Sequence, residues 1–251
     1  MANTPTAAGS SPAPKGLVAR LIGIITSPRD TFQTVVAYPR WFGMLAVTTA
    51  LIAVFAALPM TTEAGRQATI DQQVKSMKSF GFEVTDQIYD QMERGAGRLP
   101  YTTAISVIVI SPIIVVIVAG ILFAVFNAAM GGEASFKQAF AVVVHAGAVS
   151  ALSSVFSGAV NYFRAASGDA SGAMGSVANL GALLPMLPEQ SFVTHLLGTI
   201  DIFLVWYVIV LAIGLAVLYR RKTQPIAIGL LAVYAVIALC IAVFKTSRGG
   251  A

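Results

Sequence analysis

Three polar side chains lie within apolar stretches of this 251-residue sequence: Asp201, His145 and Asn127. A carboxylate at the centre of a bilayer costs about 2.5 kcal/mol or more, so Asp201 needs water, an ion or a partner. It is the one acid in the run 200–219, which ends on Arg220, Arg221 and Lys222. At the helical rise it would stand about 28 Å from Arg220, at the outer rim. Two readings are open there: an ion or proton site, or an acid held by outer groups such as Asn161, Tyr162 or Thr102. The second is expected, because a rim acid gives up little hydration. His145 would sit about 10 Å into its span and Asn127 about 5 Å into another, both from the inner end. They are therefore expected to meet in a structural interhelix hydrogen bond. Asp201 and His145 differ in depth by roughly 10 Å or more, so no relay joins them. His195 reads as an interfacial residue.

Catalytic templates are missing. No His-Glu-x-x-His, Gly-x-Ser-x-Gly or glycine-rich phosphate loop with lysine occurs. A carboxylate dyad would need a second acid within a span, and the serines near His145 share its helix and lack a positioned third group. The single cysteine, Cys240, excludes an intrachain disulfide and a thiolate metal cluster. No catalytic, cofactor-binding or metal site is predicted, and the chain is not expected to be an enzyme.

The elements that must hold these residues are membrane helices. Hydrophobic residues make up 57% of the chain and charged residues 11%, less than half the charged share of a soluble domain. The fold class expected is all-α, a polytopic helix bundle. Five spans are predicted, at about 42–60, 101–130, 138–163, 200–219 and 226–244. The second, at roughly 30 residues, must tilt, protrude or kink, and Ser111-Pro112 is the expected kink. Residues 1–16 read as a disordered tail, and 246–251 as a short C-terminal one; no signal peptide is read at the start. Residues 17–40 read as amphipathic juxtamembrane helices, the second opened by Ser27 at its N-cap and Pro28, and ended by Pro39. Residues 61–100 form an extramembrane segment of two short helices divided at Gly81. Pro188 and Glu189 are expected to open a helix that continues into span four.

Helical spacing divides span four into two faces. Gly198, Asp201, Val205, Val208, Ala212 and Ala216 are predicted to pack against other helices, while Phe203, Trp206, Tyr207 and Val210 meet lipid. Gly147 and Ala151, and Ser150, Ser154 and Gly158, in span three, and Gly120, Ala124 and Ala128 in span two, have four-residue spacing. Close packing within the bundle is expected of them, with a dimer face as the alternative.

The net charge of +5 does not point to nucleic acid, because the basic residues punctuate apolar runs. They read as topology anchors: Arg220, Arg221 and Lys222 at one span end, with Trp41 as an interfacial aromatic. The expected localisation is a multi-pass protein of a bacterial cytoplasmic membrane, N-terminus cytoplasmic and C-terminus outside.

Four features together resemble the Yip1 family in its bacterial form. They are SPRDTF at 27–32; Gly131-Gly132 followed by Ser135-Phe136-Lys137-Gln138; the tract from Ile200 to Trp206, similar to the family's Asp-x-Phe-x-x-Trp, with Gly214-Leu215-Ala216 beyond it; and the five-span profile. The resemblance covers most of 17–244. Where the family often has a proline in span three, this chain has residues from His145 to Ser150. The Asp-Leu-Tyr-Gly-Pro tract of the GTPase-partnering eukaryotic branch has no counterpart, so that partnership is not carried over. The function expected is a non-enzymatic membrane scaffold, adaptor or regulator. Its expected partners are the lipid bilayer, other membrane proteins or a second copy of the chain. The alternative is a small oligomeric transporter or channel using Asp201 and His145.

Overall fold

Local signals open and close most of the helices. The computed structural model describes residues 15–168, 177–181 and 191–249. Leu17–Thr26 (α1) is followed at once by Pro28–Ala37 (α2), with Ser27 at the N-cap and Pro28 in the first turn. Ser27 holds the expected position, but its side chain makes no capping hydrogen bond. Both helices bury a face in the bundle: Arg20, Gly23 and Ile24 from α1, and Thr31, Phe32, Thr34 and Val35 from α2. Phe42–Ala57 (α3) crosses to the opposite end and closes in a 3-10 turn at Leu58–Thr61.

Glu63–Ser79 (α4) and Asp86–Gly95 (α5) follow, divided at Gly81, whose φ of 84° a glycine adopts without penalty. Thr62 and Thr85 cap them through their side chains. Leu99–Phe123 (α6) then returns, continuous through Pro112, and its winding changes to π over Ala124–Ala129.

Phe136–Ala166 (α7) starts from a full capping box, Ser135 with Gln138. It is the central helix and touches α1, α2, α3, α4, α6 and α9. Phe192–Thr199 (α8) packs on Thr223–Gly249 (α10), and Ile202–Leu218 (α9) lies between α7, α2 and α10. Among the described residues four helices are long and apolar enough to cross a bilayer: α3 with its 3-10 turn, the run ending in α6, α7 and α10. At 17 residues α9 stands at the lower limit for a span. It nevertheless runs antiparallel to α7 over the same depth, because Gly214 lies against Val142 and Phe203 against Phe156.

The predicted helix running from Pro188 into span four does not form. Pro188 and Glu189 lie outside the described residues, as does most of the tail read at 1–16. Within the described residues α8 starts from its own cap, Ser191, and ends at Thr199. Ile200 and Asp201 are extended and bridge the segment around Asn179: Leu180 N–H donates to Ile200 O at 2.9 Å, and Ile202 N–H to Ala178 O at 3.2 Å.

Candidate functional site

One end of the bundle gathers α1, α2, the start of α3, the π turn of α6, the start of α7, the end of α9 and the start of α10. Two polar clusters sit there. In the first, Arg20 is buried in α1 and its Nη1 donates to Arg40 O at 2.6 Å and to His145 Nε2 at 3.1 Å. A guanidinium has no acceptor, so His145 Nε2 accepts, and the ring proton is on Nδ1, which donates to Ala141 O at 2.7 Å. His145 is thus a neutral, fully buried structural acceptor. Burial first, and the charge of Arg40 second, lower the Arg20 pKa below its ordinary value. Arg20 Nε has no hydrogen-bond partner among the described residues.

The second cluster holds Asn127. Its Nδ2 donates to Ala134 O and its Oδ1 accepts from Tyr219 OH, both at 2.7 Å. Tyr219 stacks on Phe126 with centroids 4.9 Å apart. A Cβ at position 132 would come within 2.6 Å of the Tyr219 ring, so the loop passes only with Gly132 there. The expected Asn127–His145 hydrogen bond is therefore absent: each residue is satisfied in its own cluster. Arg20 is the functional-looking residue that sequence reasoning missed, because an arginine on an amphipathic helix reads as a surface charge. Its approach to His145 spans 125 residues of chain and leaves no local pattern.

At the opposite end, Asp201 stands just before a helix rather than within one. It is the N-cap of α9, its Oδ1 accepting from Leu204 N–H at 3.0 Å. This satisfies an orphan donor and places negative charge at the positive end of the helix dipole. Its N–H donates to Tyr234 OH, and Tyr234 OH donates to Thr199 O. His195 is half-buried on α8 and its Nε2 has no partner among the described residues. Phe203 faces Phe156, eleven residues along α7 from His145, so Asp201 and His145 stand roughly 16 Å apart in depth.

The predicted faces of α9 need correction. Val208, Ala212 and Ala216 are buried as expected, but Val210 is buried too, and Phe203, Trp206 and Tyr207 pack against the core. Ile202, Leu204 and Ile209 are the exposed ones. Neighbours on several sides leave α9 no broad lipid face. Trp41 packs edge-to-face on Phe140 at 5.1 Å while standing at the N-cap of α3. Gly158 packs directly on the α3 backbone at Phe55, whereas Gly120 has open space around it and Ala124 and Ala128 are exposed. Ala151 and Gly158 of α7 are thus internal, Ser150 and Ser154 are half-buried, and Gly147 has the same open space beside it as Gly120.

Two of the segments behind the family resemblance meet between α2 and α9. Phe32, from SPRDTF, lies within 2.9 Å of where a Cβ at position 214 would stand, so α2 and α9 approach only across Gly214. Residues 22–244 match the Yip1 domain family. The chain belongs to the Yip1 family. No curated protein and no solved structure matches it. In this Yip1-domain protein the motif glycines Gly132 and Gly214 are packing contacts. Asp201 is a helix cap and Phe203 stacks on Trp206 at 6.2 Å.

A cleft of about 310 Å³ opens between α3, α6 and α7, lined by Thr103, Ser153, Ser154, Ser157 and Asn161 among others. Ser157 Oγ is buried without a partner among the described residues. None of the described lining residues is a histidine, acid, lysine or arginine, so nothing there activates a hydroxyl. Among the described residues no group of three or more His, Cys, Asp or Glu is placed to hold a metal.

Proposed function

We propose that this Yip1-domain protein is a non-enzymatic membrane scaffold that works by lateral association through α6. The observation that carries this reading is the open side of that helix. Only 11% of the most apolar stretch of the run ending in α6 is buried, and Gly120, Ala124 and Ala128 are spaced by four on it with no neighbour at Gly120. Small residues at that spacing let a second helix come close enough for backbone contact. The polar residues point the same way: Arg20, His145, Asn127 and Asp201 make hydrogen bonds within the fold at two ends rather than lining one path.

Photocrosslinking from position 117 of α6 in native membranes tests the reading. Protein adducts are expected, and Gly120→Leu is expected to remove them without lowering the melting temperature. Lipid adducts alone would overturn it. In liposomes, an ion flux abolished by Asp201→Asn would favour the transporter reading instead. The proposed orientation, N-terminus cytoplasmic, is tested in a Cys240→Ser background. A cysteine at position 175, outside the described residues, should be labelled by an impermeant thiol reagent from outside, and one at Thr223 should not.

A further inference from the structure

The end of α9 carries a feature that neither the packing nor the scaffold reading uses. Arg220 has φ 51°, the one non-glycine residue with positive φ among those described. It occupies the position just past the helix where glycine is usual, and Arg221 N–H closes the turn on Ala216 O at 2.9 Å. A side chain in this conformation is strained, and such strain points to a use for the side chain. Arg221 is held as well, its Nη2 donating to Met130 O at 2.8 Å, a bond that uses one of five guanidinium donors.

Arg220, Arg221 and Lys222 are all exposed and stand between two clefts. One, of about 720 Å³, adds Arg29 and Gln33. The other, of about 700 Å³, is an apolar groove between the π turn of α6 and the first turns of α10, with walls that include Val125, Phe126, Ile226, Gly229, Leu230 and Val233. No acidic residue is among the described residues lining either cleft, and the first turn of α10 carries none. The positive end of that helix therefore adds to the field of the three cations.

From this juxtaposition we infer that the α9–α10 loop is an anionic phospholipid site, the phosphate on Arg220, Arg221 and Lys222 and an acyl chain in the α6–α10 groove. A phosphodiester suits guanidinium donors, which bind it in a fork. The groove runs along α10 and reaches Val233, seven residues or about 10 Å beyond Ile226. A basic run that served topology alone would need neither the groove nor the strained arginine.

Native mass spectrometry of the full chain, delipidated in mild detergent, tests this with phosphatidylglycerol and phosphatidylcholine of identical chains. Phosphatidylglycerol is expected to be retained roughly tenfold or more over phosphatidylcholine. Arg220→Gly should raise the melting temperature while lowering that preference severalfold. The set Arg220→Gly, Arg221→Gln, Lys222→Gln should bring it to about one. Gly229→Leu keeps every cation and has open space for its side chain, so it should cut retention without destabilising the protein. Glycerol 3-phosphate, which lacks tails, should not displace the lipid. Equal retention of the two lipids, a preference that survives Arg220→Gly, displacement by glycerol 3-phosphate, or full retention in Gly229→Leu would each overturn the site.

Discussion

Helices α6 and α7 are both long and apolar, yet 61% of the most apolar stretch of α7 is buried against 11% for the run ending in α6. The more buried helix is the less apolar one. Its interior is mostly Ala and Val, with Phe140, His145, Ser157, Gly158 and Asn161, while α6 turns Ile105, Ile108, Ile113, Ile117 and Ile121 outward. In water the order would be reversed. In a bilayer, burying a large aliphatic side chain against protein gains little over leaving it in lipid. Small and polar residues take the interior because close backbones and internal hydrogen bonds are what hold the helices together.

This contrast can be broken most sharply at the centre. Gly214→Leu would drive a side chain into Phe32 and Val142, both of which are packed, and is expected to lower stability by about 3 kcal/mol or to prevent folding. Denaturation in mixed micelles is the measurement; a near-neutral result would mean that α2 is not seated on α9. The next effect comes from the buried Arg20–His145 pair. Arg20→Leu or His145→Leu alone should each lose about 2 kcal/mol, because each strands a partner. The double substitution should lose less than the sum, and strict additivity would show that the two do not interact.

Smaller effects are expected at the ends. Asp201→Ala removes a cap and should lower stability by about 1 kcal/mol, with any ion flux unchanged. Arg220→Gly should raise stability by about 1 kcal/mol by relieving the left-handed arginine. On the open side of α6, Ile117→Ala should move the melting temperature least, within about 0.5 kcal/mol. A large loss there would mean that the bundle is tied through α6 and that its exposure is not that of the native protein.

Much of the architecture could be read from local chemistry. Ser27-Pro28, Gly81 and the apolar runs mark helix boundaries because caps, left-handed turns and hydrocarbon-length stretches act over a few residues. The break at Ile200-Asp201 escaped, since apolar periodicity runs on through it. It is set by hydrogen bonds to Leu180, Ala178 and Tyr234. The exposed face of α9 was misassigned for a related reason: spacing names the residues that share a face but not how many faces are covered. Val210 is buried because α9 has neighbours on several sides.

The sequence by itself determined that this is an all-helical membrane protein of the Yip1 family, with the basic run at one end of α9 and an acid at the other. Hydropathy, caps and motif residues are local properties, and they survive in the linear string. Only the tertiary structure decided that Arg20 meets His145, that Asn127 meets Tyr219, that α7 is enclosed while α6 is open, and that the basic run overhangs an apolar groove. Each of these depends on pairing residues about 90 or more positions apart, or on which side of a helix its neighbours occupy. Helix periodicity carries no term for either.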